Sequence, residues 1–145
     1  MTQESHLGGG VIRHRLPVRP PETGADATEP RRLALPSGEL AQLTDGRTAF
    51  RHIACLELRE GTLRGNHRHE QKQEWFYLVA GRVTFFAVDP DSGQRMELKV
   101  EPGDLLEVAP GVAHALRVEA PGLAVEFAPQ PFDPADTRPH PVFIR

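Results

Sequence analysis

Four residues of this 145-residue chain have the types and spacing of a ligand set: His67, His69, Glu74 and His114. His67 and His69 are two apart, so an extended strand turns both to one face. Glu74 follows His69 by five, the wrong parity for one unbroken strand. The polar run EQKQ between them can make a turn, after which Glu74 opens the next strand and faces the same interior. His114 shares a strand face with Leu116 and Val118, whose apolar side chains belong inside. Three imidazoles and a carboxylate suit Zn, Fe, Mn, Ni or Co at about 2 Å. Such a set leaves positions open for water or substrate. There one divalent transition metal polarises a carbonyl or phosphoryl oxygen, or lowers the pKa of bound water.

The elements that must position these residues are short strands between turn signals. Strands are expected over His52–Leu58, Glu74–Ala80, Arg82–Val88, Arg95–Val100, His114–Glu119 and Leu123–Phe127, with LLEV between the last turns and GNHRHE extended. Met96, Leu98 and Val100 alternate with Arg95, Glu97 and Lys99, the period of a half-buried strand. Gly81 and Pro121-Gly122 read as strand stops. Upstream, Val11–Leu16 reads as a strand suited to pairing with a partner subunit, and LALPSGELAQL as two short strands around Ser37-Gly38. PVRPPETGADATEPRR, Pro17 to Arg32, has almost nothing to bury and reads as a loop or mobile arm. The proline-rich segment after Phe127 is expected to wrap the surface. This divides the chain into an N-terminal arm, 1–45, a β domain, 46–130, and a tail, 131–145.

Composition narrows the function. Fourteen prolines and thirteen glycines imply many turns and an all-β sandwich or barrel. The net charge is −3 and the basic residues are scattered among acids, which argues against nucleic acid as partner. No apolar run reaches membrane-spanning length and the N-terminus lacks a signal-peptide pattern. One cysteine, Cys55, excludes an internal disulfide and reads as a small buried side chain. The expected location is cytoplasmic.

The motifs resemble those of the cupin superfamily. GTLRGNHRHEQKQEWFYLVAG, Gly61 to Gly81, matches the first cupin motif at each fixed position and interval. GDLLEVAPGVAH, Gly103 to His114, resembles the second. It departs at Ala109, where the family has proline, and Val118 stands where asparagine is common. The resemblance implies a double-stranded β-helix, the jelly-roll barrel, with His67, His69, Glu74 and His114 as metal ligands and Gly61, Gly81, Gly103 and Gly111 at turns. Weaker likeness in RGNHRH, EWFYLVAGRV, GELAQL and VEFAPQPFDPADT is to cupins that modify sugar nucleotides, some of which have lost the metal.

What these residues imply is a small-molecule site. Glu74, or a water, is the candidate catalytic base, and Arg64, Phe76 and Met96 are the candidate substrate contacts. Phe76, Leu78, Phe85, Met96, Leu98, Leu116, Val125 and Phe127 form the expected inner set. Tyr77 faces the other way with Trp75 and Val79, for an outer-face or subunit-interface role. His6, His14, His52 and His140 read as ordinary surface or hydrogen-bonded histidines. The favoured function is an epimerase or isomerase acting on a sugar nucleotide or another oxygen-rich metabolite. An Fe(II)-dependent dioxygenase and a non-catalytic ligand-binding cupin are the alternatives, and a homodimer is expected.

Overall fold

The computed structural model describes residues 1–21 and 30–142. Twelve strands follow in order: β1 (Thr2–His6), β2 (Val11–Arg15), β3 (Val18–Arg19), β4 (Arg31–Leu35), β5 (Gly38–Gln42), β6 (His52–Leu58), β7 (Leu63–His69), β8 (Glu74–Val88), β9 (Arg95–Val100), β10 (Asp104–Val108), β11 (Ala113–Ala128) and β12 (Thr137–Pro139). Two three-residue 3-10 turns, Leu7–Gly9 and Pro134–Asp136, are the helical segments among the described residues. No helix there is long and apolar enough to cross a membrane.

The long strands β8 and β11 run antiparallel and build the fold. The first half of β8 pairs with β10, and β10 with β2, which pairs with β1. The second half of β8 pairs with β9. The first half of β11 pairs with β7, which pairs with β12, and its second half pairs with β6. Two faces result, joined by the shared strands, with the apolar alternation of each pointing inward: the jelly-roll architecture.

Gly81 and Pro121-Gly122 are thus bends within strands of 15 and 16 residues, not the strand ends expected. The physical reason is the close approach of the two backbones. A Cβ on Gly122 would sit 1.9 Å from the Ala80 carbonyl oxygen, and one on Gly81 2.7 Å from that of Ala120. Only glycine lets the chains cross there, and Gly81 also has φ +97°, which other residues resist.

The bend carries a second consequence. On β8 the alternation inverts across Gly81, from Phe76 and Leu78 inward to Val83, Phe85 and Ala87 inward, whereas on β11 Leu116, Val118 and Ala124 keep one parity through the register shifts. Val125 and Phe127, of the opposite parity, lie on the outer face, packed with Tyr77, Leu105, Leu16 and Trp75, and not in the inner set expected. The inner core is Phe76, Leu78, Phe85, Leu98, Leu106 and Leu116 with their valine neighbours, and Met96 packs at its margin. Each fully buried Leu or Phe contributes roughly 1.5–3 kcal/mol relative to exposure.

The two terminal segments cover the outer faces. Leu16, Leu43 and Phe50 lie over Tyr77, Trp75 and Phe127, with Phe50 edge-on to Trp75 and Phe127 at ring separations of 5.2 and 4.9 Å. Val142 packs on Val88, Ala113 and Ala115. Tyr77 does lie on the outer face, but the chain's own arm buries it, so it is not an exposed interface residue. Likewise β2 pairs with β1 and β10 of the same chain, so residues 1–15 belong to the barrel and not to a free arm. The loop expected over Pro17–Arg32 falls largely on residues 22–29, outside the described residues; β3, β4 and β5 on either side form a small separate sheet. Cys55 is exposed on β6 beside Ile53 and not buried, because the inner side of that strand is taken by Ala54, Leu56 and Leu58.

Candidate functional site

Strand β7 presents His67 and His69 to the interior, as a spacing of two requires. The loop from Glu70 to Gln73 then turns the chain so that Glu74, the first residue of β8, faces them. His114 enters from β11, directly paired with His67. A bulge between His114 and Ala115 accommodates Gly65, whose φ is +87°. A Cβ there would meet the His114 carbonyl oxygen at 2.8 Å, so a glycine lets β7 lie close enough to β11 to bring the histidines together. The ring centroids of His67 and His69 are 4.6 Å apart, and those of His67 and His114 5.1 Å.

One donor atom from each of the four residues lies within 4.8 Å of the others. Glu74 Oε2 is 3.1 Å from His114 Nε2 and 3.6 Å from His69 Nε2. Despite this, the oxygen is buried without a hydrogen bond of proper geometry. The atoms aim at a common point between them more than at one another. Donors around one ion, each about 2.1 Å from it, must lie within about 4.2 Å of each other, so small side-chain rotations close this set. The orphaned carboxylate oxygen and the three inward nitrogens fit a divalent transition metal.

Partners behind these side chains fix their orientation. His114 Nδ1 lies 3.1 Å from the Val112 carbonyl oxygen and donates to it, which turns Nε2 to the site, where it offers a lone pair in the neutral ring. His69 Nδ1 lies 3.5 Å from Thr137 Oγ1. Phe85 stacks on the His114 ring at 5.9 Å. Lys72 is buried with Nζ 3.6 Å from Glu74 Oε1.

The electrostatics favour deprotonated imidazoles at two positions. Burial, then the charges of His114 and His69, lowers His67 to about 4. Burial also lowers His69. For Glu74 burial works upward, but the close His114 ring and the charges of His114 and Lys72 outweigh it and hold the carboxyl well below its ordinary value. Burial works downward on His114 and Glu74 outweighs it, so His114 is raised.

Above these residues opens a cavity of about 180 Å³. Leu56, Phe76, Phe85, Val108 and Leu116 supply apolar wall, and Arg64 and Glu126 supply polar groups beside His67, Glu74 and His114. Of the candidate substrate contacts, Arg64 and Phe76 line it. Met96 does not: it packs at the margin of the core, across from Ala87. Arg64 Nη2 also donates to the Glu57 carbonyl oxygen at 3.0 Å.

Glu126 was not anticipated. Its carboxylate reaches the cavity, and His52 Nε2 stands 3.2 Å behind it. Burial first, then Glu74, raises its pKa. The alternation of β11, with His114, Leu116, Val118 and Ala124 inward, puts it inside, and that parity was the available signal. His52 is hydrogen-bonded, as expected of it, but its partner belongs to the cavity. His14 is paired to Glu107 at 2.8 Å, far from the site's ligands in sequence and on the other face of its strand from Arg13.

The Cupin domain family model matches residues 55–128, about half of the chain, so the chain belongs to the cupin family. No curated protein sequence matches it. Among solved structures it is similar to the rmlC epimerase of Mycobacterium tuberculosis, with 16% identity, TM-score 0.72, and 94% of this chain and 72% of that one covered. It is similar to dTDP-4-dehydrorhamnose 3,5-epimerase from Sulfolobus tokodaii, with 18% identity, TM-score 0.71, and 95% and 81% covered. A sugar 3,4-ketoisomerase from Thermoanaerobacterium thermosaccharolyticum in complex with TDP aligns with 14% identity, TM-score 0.65, and 88% and 86% covered. At these identities the likeness is one of fold.

Proposed function

We propose that the chain is a metal-dependent epimerase or isomerase acting on a sugar nucleotide or a similar oxygen-rich keto compound. The observation that carries this reading is the convergence of His67, His69, Glu74 and His114 donor atoms at the floor of an apolar-walled cavity that also receives Glu126. A divalent metal held there would act as a Lewis acid on a substrate carbonyl oxygen. The cavity walls exclude water and orient a ring against the floor. Its 180 Å³ is smaller than the roughly 300–1,000 Å³ of sites that enclose a drug-sized ligand. A sugar ring fits inside, and a nucleotide would lie along the mouth, where Arg64 is placed to meet phosphate.

Within the cavity, Glu126 replaces Glu74 as the better-placed group to take and return a proton. Glu74 is engaged by His114, His69 and Lys72, whereas Glu126 faces the cavity with His52 behind it. Fold alone does not decide among cupin chemistries, so the reading is tested by turnover. Metal-reconstituted protein is incubated in D₂O with TDP-4-keto-6-deoxyglucose, the ligand of one fold relative, and with related keto sugars. Deuterium incorporation next to the carbonyl, dependent on metal and abolished in Glu126→Gln, is the expected result. Oxygen uptake without exchange would replace the reading by a dioxygenase, and binding without any chemical change by a non-catalytic cupin.

A further inference from the structure

The sequence leaves one problem that the fold has to solve. His69 and Glu74 are five residues apart, and the EQKQ loop between them contains no glycine, no proline and no apolar anchor. Its shape nevertheless sets where Glu74 stands relative to the histidines.

Two side chains from beyond β11 hold that loop by its backbone. Asp136 Oδ1 accepts from the amides of Glu70 and Gln71 at 3.1 and 2.8 Å, and its Oδ2 accepts from that of Lys72 at 3.0 Å. Gln130 Oε1 accepts from the amide of Gln73 at 3.1 Å. All four loop amides are thereby satisfied. Asp136 is itself placed by a 3-10 turn: Pro134 opens it and Asp133 Oδ1 caps it at the Ala135 amide, 2.9 Å. The next residue begins β12, which pairs Thr137 with His69 and Pro139 with His67, and brings Thr137 Oγ1 to His69 Nδ1. Beyond it, the His140 amide donates to the Asn66 carbonyl oxygen at 2.9 Å and the Val142 amide to Asn66 Oδ1 at 3.1 Å.

We propose that the C-terminal segment is a clamp on the metal site, with Asp136 as a positioning residue that fixes Glu74 against His69. The proposal rests on the metal reading above. A carboxylate suits the role because two acceptor oxygens and a negative charge meet three converging N–H groups. An amide has one acceptor oxygen and would turn its NH₂ toward a donor. Partners that orient metal ligands affect affinity by about 10–100-fold when removed.

The test is Co(II) binding to the full-length chain, followed by the visible absorption of the bound ion and by competition against a chelator. Asp136→Ala weakens Co(II) by about 10–100-fold and alters the band intensity, since a displaced Glu74 changes the coordination geometry. Asp136→Asn, which keeps one acceptor, falls between it and the wild type. Glu97→Ala, which removes an exposed carboxylate on β9 away from the loop and its clamp, keeps wild-type affinity and spectrum. Amide hydrogen exchange at residues 70–73 accelerates in Asp136→Ala. If Asp136→Ala does not fold, Asp136→Asn decides alone. Wild-type affinity and spectrum in the Asp136 variants overturn the clamp while leaving the metal site standing. Wild-type protein that binds no Co(II) overturns the metal reading and the clamp with it.

Discussion

Acidifying the protein should release metal with the loss of about one proton's worth of affinity per pH unit, although three histidines face the site. The reason lies in how differently their surroundings treat them. Neutral imidazole is the ligand form. His67, lowered by burial from 6.5 to about 4, stays neutral well below pH 6 and offers no proton to displace. Burial lowers His69 in the same sense. His114 is raised by Glu74 against its burial and carries the proton that an entering metal must expel. Glu74, held well below its ordinary value by His114 and Lys72, remains a carboxylate throughout. One displaced proton gives about a 30-fold loss of affinity between pH 6.5 and 5. Three independent imidazoles of ordinary pKa would lose roughly 4,000-fold over the same range. The assay is Zn(II) competition against a chromophoric chelator at a series of pH values. A slope near three would show that the cavity does not keep His67 and His69 deprotonated, and a flat profile would contradict histidine ligation altogether. The metal-free protein adds a check on sign. For His67 and His69 the folded value lies below the unfolded one, so their contribution to stability is present above pH 6.5 and is lost as the pH falls through the folded values, about 4 for His67. For His114 the folded value is raised, so its contribution is present below 6.5 and is lost as the pH rises through the folded value.

Three substitutions probe the rest of the account. Gly65→Ala places a Cβ 2.8 Å from the His114 carbonyl oxygen at φ +87° and should cost about 2–4 kcal/mol in denaturant unfolding; a change below 0.5 kcal/mol would mean that β7 need not lie so close to β11. Phe85→Ala removes a buried ring stacked on His114 and should cost about 3–5 kcal/mol and loosen the site, with wild-type stability as the contrary result. Ile53, 72% exposed, stands on the outer side of β6 two residues from the exposed Cys55. Light scattering should give a dimer that Ile53→Asp dissociates, and a monomeric wild type would remove that expectation.

The convergence of His67, His69, Glu74 and His114 was legible because its information is local: the residues of HRH share a face, Glu74 opens a strand, and His114 sits on an apolar alternation. Strands β6 and β9 were legible for the same reason, since each is a short period-two run between turn signals. What escaped the sequence depends on long-range pairing. A glycine that ends a strand and a glycine that lets two strands cross look alike, so Gly81 and Gly122 concealed the continuity of β8 and β11. Carried across that bend, the parity of His114, Leu116 and Val118 puts Glu126 inside and Val125 and Phe127 outside. Asp136 acts on a loop more than sixty residues before it, through backbone bonds that leave no pattern in residue types. Tyr77 lies on the outer face as its parity implies, but exposure depends on what covers a face: the arm covers Tyr77 and leaves Cys55, expected to be buried, open.

Whether the four converging side chains hold a metal is the point on which the functional reading turns. Untagged protein and the His67→Ala/His114→Ala double variant are reconstituted with a divalent metal, desalted, and measured by inductively coupled plasma mass spectrometry. The expected result is about one metal per wild-type chain and none retained by the variant. Equal retention by both would mean that the metal is bound elsewhere. A wild-type protein that retains none would leave Glu74 and the three histidines as a polar cluster and remove the Lewis-acid chemistry proposed for them.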